Sequence, residues 1–216
     1  PDHIGEHEHH SFEHYMACKK MLFQMCKVGI FNRDDEHYED MIKGAKCDIK
    51  TYSLHQQSDL KASQIHLSQG TGTLGVSFQT SGLIDANFET DIPGHFSVYN
   101  SLVAIILCHL LGIETNYIKE ALKKVRVRGR VEIVPVGQKY TVMIDYAHNA
   151  LSFESILQTI MDYQPHRILC VYGAGGHRDV KRRYDVGEIV AKYKEIEKYG
   201  IFIRNRVLEN SILFIF

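Results

Sequence analysis

Ile168-Leu169-Cys170-Val171-Tyr172 runs straight into Gly173-Ala174-Gly175-Gly176-His177-Arg178-Asp179, and a helical pattern resumes over Arg182–Lys194. A short apolar run, closed by glycines and followed by a helix, is the βα unit of an open sheet. The same order appears one unit earlier. Thr141–Ile144 is strand-like, Asp145-Tyr146-Ala147-His148-Asn149 is a polar loop, and Leu151–Tyr163 is amphipathic at helical spacing. Two such units in succession from residue 139 predict an α/β fold with a parallel sheet.

Further upstream the pattern changes. Val131–Val136 is strand-like, but two helices precede it, Ser101–Leu111 (opened by Pro93-Gly94) and Glu114–Val125. Both end before Val127–Gly129, so the domain junction is expected there. Lys61–Thr90 alternates in short stretches around Gln69-Gly70-Thr71-Gly72 and Ser81-Gly82, which predicts an antiparallel meander. Val28–Phe31 reads as a strand entering the polar turn Asn32-Arg33-Asp34-Asp35. Over Ser11–Lys27, Phe12, Tyr15, Met16, Leu22, Phe23 and Met25 recur at helical spacing.

The 216 residues suffice for one large domain or two small ones. A net charge of −1 gives no footprint for nucleic acid or an acidic membrane surface. The apolar runs Leu102–Leu107 and Ile212–Phe216 fall far short of the roughly 20 residues that span a bilayer. Five dispersed cysteines with no C-x-x-C pair favour reduced thiols and a cytoplasmic protein. The chain opens on Pro1 inside what reads as an active loop, as if its true beginning were missing. Ser211–Phe216 is uncharged, apolar and β-prone, an aggregation hazard if exposed.

Three places carry chemistry. The loop Gly173–Asp179 lets backbone N–H groups approach an anion at a helix N-terminus, with Arg178, Lys181, Arg182 and Arg183 adding charge. A tight βα turn with a solvated basic helix start explains it equally well, and no Walker Gly-Lys-Ser/Thr follows. Asp145 stands at the C-terminal end of a strand, where open sheets bind ligands and a carboxylate can accept both ribose hydroxyls; His148 could reach a phosphate. A helix cap at Asn149 beside a surface histidine accounts for the same residues without function. Finally, His3, His7, His9, His10 and His14 could form a transition-metal site, although no H-E-x-x-H or C-x-x-C spacing supports zinc and polar surface is the plainer reading.

Taken in order, these segments resemble one family. Asp2-His3-Ile4-Gly5, Tyr15-Met16-Ala17-Cys18-Lys19 and Leu22-Phe23 are similar to the Mur-ligase stretch D-H-(L/I)…Y…A-K…L-F. Phe31-Asn32-Arg33-Asp34-Asp35 resembles its N-x-D-D. Pro93-Gly94-His95-Phe96-Ser97-Val98-Tyr99-Asn100 resembles P-G-x-F-N-V-Y-N, with Ser97 where Asn is common. Gly129-Arg130-Val131-Glu132 resembles G-R-M-E. Asp145-Tyr146-Ala147-His148-Asn149 resembles D-Y-A-H-(T/N), with Ala150 in place of Pro, and Gly175–Arg182 resembles G-G-(D/H)-R-D-x-x-K-R. Six motifs in family order span roughly residues 1–192. The last two point to the tripeptide synthetases of the family.

The resemblance implies the second half of a Mur-ligase central ATPase domain over 1–128, then the start of a Rossmann-like C-terminal domain over 129–216, with an unrelated tail from about 195. It implies ATP-dependent amide-bond formation in peptidoglycan precursor synthesis. ATP phosphorylates the carboxylate of a UDP-N-acetylmuramoyl-dipeptide, and a diamino acid, meso-diaminopimelate or lysine, attacks the acyl phosphate. Mg²⁺ is the implied cofactor beside ATP. By the same resemblance Asn32, Asn100, Arg130 and Asp145 bind ATP. His3 and a carbamylated Lys19 ligate Mg²⁺. Lys19, His148 and Arg178 are catalytic, and Arg178 faces the incoming amino acid. A carbamate suits the role because it offers anionic oxygens to a hard cation, which an amine does not. The family's phosphate loop and D-N-P-R motif are not among these residues, so an inactive fragment, truncated or frame-shifted, is expected. A non-catalytic nucleotide-binding module, or a folylpolyglutamate or cyanophycin type of amide ligase, is the alternative.

Overall fold

The computed structural model describes residues 9–70, 72–135, 140–172, 180–193, 196–200 and 212–215, with backbone alone described for 180–183, 186, 196–200 and 212–215. The contacts divide into two units. The first comprises Pro1–Ile65, Phe78–Phe88 and Val98–Glu120; the second comprises His66–Ser77, Glu89–Ser97 and Ala121–Phe216.

In the first unit, α1 (Phe12–Met25) begins where the Ser11 hydroxyl accepts from the His14 amide at 3.2 Å. This N-cap satisfies one of the donors that every helix start leaves open. None of its residues is fully buried. β1 (Val28–Asn32) and β2 (Asp48–Ser53) pair in parallel, Asn32 opposite Tyr52, with the short α2 (Tyr38–Ile42) in the crossover. β2 in turn pairs in parallel with β3 (Leu60–Gly70). β4 (Thr73–Gly82) and β5 (Ala86–Thr90) complete a five-stranded sheet in the order β1-β2-β3-β4-β5. The connections between β3, β4 and β5 are two and three residues long, which only antiparallel strands allow. The expected meander is therefore present. β2 and α2 were not anticipated, because Asp48-Ile49-Lys50-Thr51-Tyr52-Ser53 carries too few apolar residues to announce a strand.

α3 (His95–Leu110) opens directly after Pro93-Gly94, as expected, and runs through Ser101 to within one residue of Leu111. Its Val98, Leu102, Ile105 and Ile106 are all completely buried. That i, i+4, i+7, i+8 spacing is one face of a helix. α4 (Thr115–Lys124) buries Ile118 and Leu122 in the same way.

The second unit contains a sheet in the order β6-β7-β10-β8-β9. β6 is Glu132–Ile133, β7 Val142–Asp145, β8 Ile168–Tyr172, β9 Ile196–Gly200 and β10 Ile212–Ile215. β8 and β9 are parallel, and β7 and β8, the strands of the two expected βα units, run the same way, since both are antiparallel to β10. The all-parallel reading needs correction, since β6 runs antiparallel to β7 and β10 runs antiparallel to both β7 and β8. The apolar tail is thus paired on both sides rather than hanging free. Between the strands lie α5 (Ala150–Asp162) and α6 (Val180–Lys192). Phe153, Ile156, Leu157 and Ile160 of α5 join Met143, Ile168, Cys170, Ile189 and Val190 in one core. Burial pushes the Cys170 thiol up to about 12, so it is an inert apolar filler.

Gly94 shows why the turn before α3 needs glycine. Its φ is +90°, and an added Cβ would lie 2.6 Å from Thr159 Cγ2. Its amide donates to the Tyr163 hydroxyl at 3.1 Å, and that hydroxyl donates to the Gly75 carbonyl at 2.8 Å.

Candidate functional site

In the first unit, α1 and the end of β1 enclose a cavity of about 390 Å³. Lys19 and Asn32 both line it, with Asp35, Phe23, Phe31 and Tyr38. Two of the residues picked from the sequence are therefore brought together. The Lys19 amine is exposed and rests 5.3 Å from the centre of the Tyr15 ring. Asn32 Oδ1 accepts from the Asp34 amide at 3.0 Å, so this side chain shapes its own turn.

Asp34 is the hub of that turn. Its carboxylate accepts from the amides of Leu54 at 2.6 Å, Gln56 at 3.0 Å and His55 at 3.2 Å, and from the Tyr99 hydroxyl at 3.0 Å. Burial pushes this carboxyl up, but the three amides and the hydroxyl together outweigh it and hold it below its ordinary value. The Tyr99 phenol is pushed up to about 12 by burial first, then by its hydrogen bond to Asp34 and by the Asp34 charge. Asn100, the next residue, is exposed on α3. Tyr99 was quoted within its motif but passed over as a functional residue. An aromatic hydroxyl beside a polar motif residue was the signal that could have found it.

In the second unit, Asp145 ends β7 as expected and is only 7% exposed. Its Oδ2 accepts from the Val131 amide at 2.8 Å and its Oδ1 from the Ala147 amide at 2.6 Å. Burial pushes its carboxyl above the ordinary value; the amides of Val131 and Ala147 and the Arg130 charge pull the other way without cancelling it. Val131 itself has a φ of +47°, a left-handed backbone that a β-branched residue resists. That correction replaces the strand expected to begin at Val131, and β6 starts one residue later. The turn sends the exposed Arg130 outward over the Tyr146 ring, 4.7 Å from its centre. Arg130 and Glu132 also line a small cavity of about 100 Å³.

His148 is half-buried, and its ring centre lies 5.1 Å from that of Tyr146. Its Nδ1 is 3.0 Å from the Tyr146 carbonyl oxygen. A carbonyl can only accept, so this contact is a hydrogen bond donated by Nδ1–H, and Nε2 is not used by it. Asn149 does cap α5, in a reciprocal pair of bonds with Ser152. Asp145, Arg130 and His148 thus cluster at one turn. Tyr146, which supports two of them, was overlooked although it stands inside the same motif. His3 and Arg178 lie outside the described residues, as does the loop Gly173–Asp179. The strand before that loop is described, however: Tyr172 and Asp145 both stand opposite Ile212 in β10, so β7 and β8 finish at the same end of the sheet. That is the end at which open sheets bind ligands.

The Mur ligase middle domain matches residues 1–108, and the Mur ligase glutamate ligase domain matches residues 129–211. The chain belongs to the Mur ligase family. The UDP-N-acetylmuramoyl-L-alanyl-D-glutamate–2,6-diaminopimelate ligase of Caldanaerobacter subterraneus subsp. tengcongensis is 37% identical over 197 residues, covering 90% of this chain. The match spans only 39% of that relative's length. A solved ligase of the same name has a TM-score of 0.61 at 24% identity, over 90% of this chain and 41% of its own. A folylpolyglutamate synthase from Thermotoga maritima has a TM-score of 0.58 at 20% identity, over 80% of this chain and 39% of its own. At those identities the structural likenesses speak to fold. Among the described residues, no helix is long and apolar enough to cross a membrane.

Proposed function

We propose that this chain is part of an ATP-dependent ligase that joins 2,6-diaminopimelate to UDP-N-acetylmuramoyl-L-alanyl-D-glutamate through an acyl phosphate. Residues 1–128 are read as the C-terminal part of the central ATP-binding domain and 129–216 as the first part of the C-terminal domain. The observation that carries the reading is the turn in which Asp145 clamps Val131 and Arg130 projects outward, in a chain matching two Mur ligase domains in order. The curated relatives' names supply the choice of diaminopimelate over lysine.

In this reading Arg130 faces the nucleotide phosphates as a fixed positive charge. Asp145 accepts from the ribose hydroxyls with the lone pair each oxygen keeps after binding an amide. Asn32 and Asn100 stand near adenine. His148 faces the reacting groups together with Arg178, which also faces the acceptor amino acid. His3 and a carbamylated Lys19 would hold Mg²⁺, which neutralises charge on phosphoryl oxygens when bound. The residues fit that role to this extent: the Lys19 amine is exposed and therefore open to CO₂, and Asp35 adds a hard oxygen to the same cavity.

The test is made in the complete enzyme. Lys19→Ala is expected to lower ATP- and Mg²⁺-dependent phosphate release, with the UDP-dipeptide and diaminopimelate, by more than about a hundredfold. Partial rescue by short carboxylates supports the carbamate. An unaffected enzyme ends the assignment. Release with a folate and glutamate, and none with the UDP-dipeptide, would favour the folylpolyglutamate type instead.

A further inference from the structure

We infer that His9, His14 and Cys18 form a binding site for a borderline-soft divalent cation of the zinc class. One ligand atom from each of the three lies within 4.8 Å of the others. His14 and Cys18 are four residues apart on α1, so they project from one face of the helix. His9 arrives from the segment just before the Ser11 cap and completes a triangle that the helix alone could not make.

The spacing suits a metal. A tetrahedral ion with bonds of about 2.3 Å to sulfur and about 2.0 Å to nitrogen holds those two atoms about 3.5 Å apart. Cys18 Sγ and His14 Nε2 stand 3.7 Å apart. A thiol–imidazole hydrogen bond would explain that pair by itself. It would not account for His9, whose ring packs edge-on against His14 and Tyr15 and whose Nδ1 is enclosed and, among the described residues, meets no hydrogen-bond partner. The His10 ring stacks on His14 with centres 5.6 Å apart and an angle of 15° between planes, which restrains the His14 ring.

The donor set selects the ion. Two imidazoles and a thiolate suit zinc and its neighbours, whereas magnesium takes mainly oxygen donors and has no affinity for a thiolate. On binding, the Cys18 thiol gives its proton to solvent, and water takes the fourth position. The thiolate therefore sets this site apart from the Mg²⁺ site proposed at His3 and Lys19, although Cys18 and Lys19 are adjacent on the same helix. Its effect is to tie the segment before α1 to the second turn of that helix.

Co²⁺ is the probe, added to the 216-residue chain and to its variants. One equivalent is expected to produce a thiolate-to-cobalt charge-transfer band in the near ultraviolet, bleached by an equimolar addition of Zn²⁺. Cys18→Ser should abolish the band. His14→Ala and His9→Ala should each weaken Co²⁺ affinity by at least about tenfold, the least that losing a ligand costs when even outer partners cost that much. Cys18 and His14 are exposed, and circular dichroism of those variants should match the parent, so loss of the band reports the site. A band that persists in Cys18→Ser, or an affinity unchanged in the double variant of His9 and His14, overturns the inference. So does the absence of any band at one equivalent.

Discussion

Val131 keeps a left-handed backbone because the Asp145 carboxylate accepts its amide, and the same carboxylate accepts from Ala147. Asp145→Ala leaves both amides without partners in a buried turn. A destabilisation of about 1–3 kcal/mol is expected, read from urea midpoints. Asp145→Asn should recover part of it, since one carbonyl oxygen remains as an acceptor. Asp34, half-buried, and Asp145, buried, also carry opposite pH signatures. Asp34 has its folded pKa held below the ordinary carboxylate value, so it stabilises the fold above that value and loses this contribution as pH falls through the folded one. Asp145 has its folded pKa raised, so its contribution is present below the ordinary value and lost as pH rises through the raised one. Urea midpoints measured from about pH 3 to pH 6, across the carboxylate range, should therefore fall less steeply on the acid side in Asp34→Asn than in the parent. In Asp145→Asn, the component that weakens with rising pH should disappear. Parallel curves for parent and variants would show that the hydrogen bonds do not set the titrations.

At the scale of elements, the helices with a repeating apolar face were legible before the structure. α1, α4 and α5 lie within a few residues of their expected bounds, because apolar residues recur at helical spacing in each, although only α4 and α5 bury any of theirs fully. What could not be read were features whose cause is remote in sequence. The Val131 turn depends on a carboxylate 14 residues away, and the Asp34 hub on amides about 20 residues on and a hydroxyl 65 residues on. Likewise, Lys19 and Asn32 could be picked by motif, but not the aromatic walls of the cavity they share. β10 is the sharpest case. Its apolar, β-prone residues read as an aggregation hazard if exposed, and the backbone of 212–215 pairs with β7 on one side and β8 on the other. Leu213→Pro tests this. Proline removes a ladder donor from a strand with partners on both sides, which sheets do not tolerate away from an edge. Amide exchange at Met143, Ile144, Cys170 and Val171 should rise sharply in the variant. Protection equal to the parent's would show that β10 does not occupy the slot.

At the scale of the whole molecule, the decisive point is what the 216 residues hold and what they do not. They contain no Gly-Lys-Ser or Gly-Lys-Thr phosphate loop. Phosphoryl transfer is catalysed by positioning and charge, so the chain by itself should release no phosphate above background from ATP, Mg²⁺, the UDP-dipeptide and diaminopimelate. Release that disappears in Asp145→Ala would show the chain competent by itself. The position of β10 has a further consequence, one that concerns time. A ribosome delivers β6, β7, β8 and β9 first, and β10 comes after all of them although it stands in the middle of their sheet. Until residues 212–215 emerge, β7 and β8 each present an unpaired edge to the other across an open gap. An unpaired strand edge is a template for another strand, so closure of this sheet waits on β10, the latest of its five strands to be made.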